Sequence, residues 1–177
     1  IQSTPGMNRE VFSNFVNTLM QSQSTIKAMS WNPIISLENR LEAEEELSAI
    51  YGKPITIRGE PLKGDDPIVF VKLISPEEGN SKAIGFNVYS NSERKETLNT
   101  AQTLFQPQAT PIIKLVQSNS QEPAYLLFFP VFRPLNDNAG SSSKILMGYA
   151  TGVFLAEKMI QRAFNLDESQ LFKYEIY

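Results

Sequence analysis

The sequence predicts an α+β fold, with a long N-terminal stalk helix beside an antiparallel sheet and its covering helices. Three observations lead there. The first fifty residues repeat their apolar positions at helical spacing. From Ile55 the period switches to two. The later apolar runs are joined by polar, turn-rich loops, which favour antiparallel pairing.

Asn8 can cap a helix that begins at Arg9. Its apolar positions are Phe12, Phe15, Val16, Leu19, Ile26 and Met29. Phe12, Leu19 and Ile26 lie seven apart, and Phe15, Ser22 and Met29 form a second seam that Ser22 weakens. Such heptads suit a helix that pairs with another chain, or one that packs on its own domain. Trp31-Asn32-Pro33 interrupts the pattern, because Pro33 disfavours helical geometry at Asn32. A second helix uses Leu37, Leu41, Leu47 and Ile50, and Gly52 and Pro54 stop it. Its acidic run, including Glu38, Glu42, Glu44, Glu45 and Glu46, reads as a solvated face without calcium-loop spacing.

Ile55 and Ile57 begin a short strand, and Ile68 to Ile74 is an apolar strand ended by Ser75-Pro76. Ser90 and Glu93 form a capping box for a helix that runs to about Phe105. Thr110 to Val116, Ala124 to Phe132 and Ile145 to Phe154 read as strands, the middle one covered on both faces. Gly148, Ala150 and Gly152 line one face of the last, leaving room for a helix or a ligand to approach. Residues 156–164 resume helical spacing, and Phe172, Tyr174 and Ile176 start another strand.

The 177 residues are 41% hydrophobic, enough to bury a core. Without histidine or cysteine there is no structural zinc site, disulfide, thiol nucleophile or histidine triad. The net charge is −3 and the 16 basic residues form no stripe, which argues against nucleic acid as a partner. No apolar run reaches the ~20 residues of a membrane span. Gly-x-Ser-x-Gly, Ser-x-x-Lys and P-loop motifs are absent, so catalysis is not expected. Nor is a cofactor or a metal.

Five segments, in order, resemble the CHASE domain family. They are WNPIISLENRLEAEEEL (31–47), IGFNVYSNSERKETLNTAQ (84–102), ATPIIKL (109–115), LLFFPVF (126–132) and MGYATGVF (147–154). The resemblance implies a ligand-sensing domain held between two transmembrane helices, on the periplasmic or extracellular side of the membrane. The outputs of such receptors are histidine kinases, diguanylate cyclases and related cytoplasmic enzymes. It also implies a stalk helix and PAS-like sheets; the seam of Phe12, Leu19 and Ile26, for its part, suggests a homodimer in the full-length receptor. On this reading residues 1–7 are a linker, 8–50 the stalk and linker helices, and 51–166 a membrane-distal PAS-like domain. Residues 167–177 would start a second, membrane-proximal subdomain of a longer protein. Two departures argue against cytokinin as the ligand. Asn87 stands where the family commonly has an Asp after Gly-Phe, and Phe128 where cytokinin receptors carry a small Thr.

A pocket for a small organic molecule is expected between sheet and helices. The polar candidates on its walls are Lys72, Asn87, Thr110, Lys114, Tyr125, Tyr149 and Thr151. Asn87 could equally be a turn or cap residue. Arg94 could grip a carboxylate, although a helix-edge position is usual for a surface ion pair. The alternative is a relay module that dimerises, answers a partner protein and binds no small ligand. Phe70, Phe86, Phe128 and Phe129 would then fill the interior.

Overall fold

The computed structural model describes residues 8–23, 25–113, 123–135 and 144–164. In chain order the described elements are helix α1 (Arg9–Ser22), strand β1 (Ile26–Ile35), helix α2 (Arg40–Tyr51) and the short strands β2 (Ile68–Val69) and β3 (Leu73–Ser75). Helix α3 (Ser92–Leu104), strands β4 (Gln108–Ala109), β5 (Ala124–Pro134) and β6 (Lys144–Leu155), and helix α4 (Ala156–Phe164) follow. The fold is α+β. The sheet is antiparallel in the order β2-β1-β6-β5-β4, and β3 also pairs with β1.

The largest correction to the sequence reading is β1. The expected stalk helix ends at Ser22, and Ile26 and Met29 belong to a strand instead. Pro33 would clash with the carbonyl of Met29 in a helix and remove a helical donor. The residues also alternate. Ala28, Ser30 and Asn32 turn to one face, all buried, while Met29 and Trp31 turn to the other. Period seven is met by Ile26 and Met29 by coincidence; period two is met by the whole segment.

β1 lies inside the sheet, an unusual place for proline. The structure accommodates Pro33 by placing Gly148 opposite it. A Cβ at Gly148 would sit 2.4 Å from the Asn32 carbonyl oxygen and 2.7 Å from Pro33 Cα. Its φ of 147° also disfavours an L side chain. On the other side of β6 the register with β5 steps from Val131↔Gly148 to Phe132↔Leu146, a bulge at Met147.

The two faces of the sheet are covered differently. On the outer face α1 packs Phe12, Val16 and Met20 against Leu73, Met29 and Trp31. Arg9 ties that helix down by pairing with Glu77 and lying over the Tyr51 ring. On the inner face α3 and the loop before it cover β1, β6 and β5, with Leu98, Ala101, Phe128 and Val153 in the main core. The small residues of β6 alternate with buried Tyr149, Thr151 and Val153, and so face outward, away from that core. Gly148 meets β1 backbone and Gly152 the Phe154 ring. β5 is not covered on both sides as expected, since Phe129 and Val131 are exposed on the outer face.

Other elements shift by smaller amounts. α2 buries Ala43 and Leu47 but leaves Leu41 exposed, and Leu37, also exposed, lies in a 3-10 turn before it. Its acidic run is partly used, because Glu44 accepts from Arg40 Nε at 3.1 Å and from the Ile57 amide at 2.9 Å. The apolar run 68–74 splits into β2 and β3, while Ile57 is buried without belonging to a strand. α3 is capped by Asn91, whose side chain accepts from the Arg94 amide at 3.0 Å, and not by the Ser90–Glu93 box.

Lys95 of α3 meets Asp66 at 2.5 and 2.6 Å. The hydrogen bond from Lys95 holds the Asp66 carboxyl below its ordinary range. A depressed carboxyl stabilises the fold above its unfolded pKa, and this is lost as pH falls through the folded value. Lys95→Met should therefore cost about 0.5–1 kcal/mol at neutral pH. The difference from the parent should vanish in acid once Asp66 is protonated, as urea unfolding at both pH values would reveal.

Candidate functional site

Strand alternation brings three polar side chains to the inner face near the middle of the sheet. Ser30 and Asn32 come from β1 and Thr151 from β6, with Ser30 and Thr151 directly paired in register. Asn32 Nδ2 donates to Thr151 Oγ1 at 2.8 Å. Arg94 reaches the same place from the first turn of α3. Together they border a cavity in which about 30 Å³ is open to atom centres. The rest of its wall is apolar: Val71, Ile74, Ala83, Phe86, Val88, Leu126 and Val153. Phe86 is the half-buried member of the wall; the others are buried.

Two polar atoms in this place lack a hydrogen-bond partner, Asn32 Oδ1 and Arg94 Nε. Arg94 is 7% exposed and pairs with no carboxylate among the described residues. Burial pulls its guanidinium below the ordinary arginine range, and the nearby Glu93 charge opposes this in part. The Phe86 ring, 5.4 Å from the guanidinium carbon, gives some compensation. The first turn of a helix is also the wrong end for a cation. An unpaired buried charge is expensive, so this cavity is electrostatically suited to an anion.

The candidates taken from the sequence scatter. Thr151 lines the cavity. Asn87 does not: it is fully buried, and every polar atom of its side chain is used within the chain. Its Oδ1 accepts from the amides of Val69 and Tyr89, each at 3.1 Å, and its Nδ2 donates to the Gly59 carbonyl at 3.1 Å. These bonds make Asn87 the cap of the turn that follows it and a joint between three segments. Tyr149 is on the inner face, but its hydroxyl donates to the Leu98 carbonyl at 3.1 Å. Desolvation pushes its phenol well above the usual tyrosine range, so it remains a donor. Thr110 Oγ1 accepts from the Leu126 amide at 3.0 Å at the far edge. Tyr125 stacks on Phe154 on the outer face. Lys72 is held by Glu46 at 2.6 Å beside α2. Lys114 lies outside the described residues. Of the four aromatic fillers, Phe70 and Phe128 are buried in the core, Phe86 lines the cavity, and Phe129 faces outward.

A wider groove runs along the exposed side of α3 past Leu62 and Leu104. Lys95, the cation on its wall, is already held by Asp66. Among the described residues no group of three or more acidic side chains could hold a metal ion.

The family model of the CHASE domain matches residues 5–177. The chain belongs to the CHASE domain family. CHASE domains are extracellular sensor domains of signalling receptors, sensory and not catalytic. No curated protein matches the chain. No helix among the described residues is long and apolar enough to cross a membrane. Within this CHASE domain the cavity residues Ser30 and Asn32 are hidden from a sequence reading, because the heptads run on into this segment as far as the interruption at Trp31-Asn32-Pro33. Their alternation with Met29 and Trp31 is the signal that could have found them. The sequence offers Arg94 as a carboxylate ligand, but its burial depends on tertiary packing that its helix position alone does not reveal.

Proposed function

We propose that this CHASE domain is the extracytoplasmic ligand-sensing part of a transmembrane receptor of the histidine kinase or diguanylate cyclase type. A small organic molecule enters the cavity beneath the sheet, and its binding is relayed through α1 to the cytoplasmic output. The observation that carries this reading is the two buried, unused polar atoms, Arg94 Nε and Asn32 Oδ1, both on residues that line the cavity. Native proteins rarely leave such groups unsatisfied unless something else serves them. α1 touches β1 and β3 on the opposite face of the same strands, so a shift of β1 on binding would reach α1 directly. Native mass spectrometry of the chain purified from its source tests this. A retained small molecule that Ala83→Leu displaces, by filling the cavity, supports it. A bare chain whose melting temperature no metabolite raises would overturn it.

The alternative, a relay module without a ligand, draws on a different observation. Val11 and Phe15 on α1 are 49% and 56% exposed, and they make a better seam than the inward Phe12. In the full-length receptor this face would pair two copies. Phe15→Glu should then leave the fold intact and abolish any self-association seen by sedimentation. An unchanged dimer would exclude this seam.

A further inference from the structure

The cavity's chemistry narrows the ligand class, an inference that rests on the sensing function proposed above. We infer that the cavity takes a small monocarboxylate that also carries a hydroxyl group, of the 2-hydroxy acid kind. Arg94 supplies one buried positive charge and an unused Nε–H. A single carboxylate balances that charge and accepts that hydrogen, with the strength of a charge-assisted bond. Asn32 Oδ1 is an unused acceptor and asks the ligand for a donor. Thr151 Oγ1 already accepts from Asn32 Nδ2, which leaves its own hydrogen free to reach a carboxylate oxygen. The donor for Asn32 is better a hydroxyl than an ammonium. An ammonium would add a second cation, and no acidic side chain stands on the cavity wall.

The apolar part of the wall, with Val71, Ile74 and Ala83, takes a short alkyl group. About 30 Å³ open to atom centres holds roughly two waters with the Phe86 ring in place, so a compact acid is admitted only as that ring moves aside. Entry is past Phe86, the half-buried wall residue. Swinging that ring out would also remove the cation–π contact that now compensates Arg94, so the ligand carboxylate replaces the ring as partner of the guanidinium.

Titration calorimetry of the 177-residue chain with glycolate, lactate, acetate, glycine and glycolamide tests the inference. Glycolate or lactate should bind one to one. Glycolamide, of the same shape but neutral, should bind at least about tenfold more weakly, and acetate and glycine should also be weaker. Arg94→Met should lose the hydroxy acid altogether. Should that variant not fold by circular dichroism, Arg94→Lys serves instead and should weaken binding while still favouring glycolate over glycolamide. Equal binding of glycolate and glycolamide, blocked by Ala83→Leu, would overturn the ligand class and leave the cavity as a sensor site. Absence of binding by all five, with no other small molecule retained by the native chain, would overturn both.

Discussion

Asn87→Ala is expected to lower stability by about 2–4 kcal/mol, with roughly a 5–15 °C fall in melting temperature. The substitution strips an acceptor from two amides, Val69 and Tyr89, and a donor from the Gly59 carbonyl. Asn87 is completely buried, so water does not readily take over these bonds. They join three segments distant in sequence: β2, the loop at Gly59 and the turn before α3. The Asn87 backbone adds to the same joint, accepting from the Ser90 hydroxyl at 2.7 Å and donating to the Arg58 carbonyl at 2.8 Å. Folded Asn87→Ala should still bind whatever the parent binds, because this side chain does not line the cavity. Urea unfolding gives the stability change. A loss below about 0.5 kcal/mol would mean that the joint is held by the backbone alone.

Arg94→Met is expected to act in two opposite directions. Without ligand it should raise stability by about 1 kcal/mol, since it removes an unpaired charge from a buried site at the unfavourable end of α3. The gain is held down by loss of the contact with Phe86. With the ligand present the order should reverse. A ligand at a hundred times its Kd stabilises the parent by about 2.7 kcal/mol and gives the variant nothing. Melting curves with and without glycolate should therefore cross over between the two proteins. A variant less stable than the parent without ligand would show that Arg94 is an ordinary structural residue.

Legibility in the sequence followed the range of the interactions that decide each element. β5, β6 and α3 were readable to within a residue or two, because long alternating runs and an Asx or Ser cap are local signals. β1 is harder, because Ile26 and Met29 continue the heptads of α1; the local signals against a helix are Pro33 and the alternation of Ala28, Ser30 and Asn32, and pairing with β3 and β6 fixes the strand. The small-residue face of β6 was seen, but which side of the sheet it occupies depends on where α3 packs. Thr151, which borders the cavity, stands out in the sequence because it is polar within an apolar strand. Asn87, Tyr149 and Thr110 gave the same signal for another reason: each spends its polar atoms on a backbone group of a distant segment. A buried polar residue is visible in a sequence; its partner is not.

The most direct test is the side-chain Nε–H resonance of Arg94 in a ¹⁵N-labelled chain titrated with glycolate. A buried Nε–H without an acceptor should shift strongly and saturably as a carboxylate arrives. The backbone amides of Ser30, Asn32, Thr151 and Val153 around the cavity should move in the same titration, and glycolamide should need at least about tenfold higher concentration to move them. Shifts confined to surface residues, with the Arg94 resonance fixed through the titration, would contradict binding beneath the sheet.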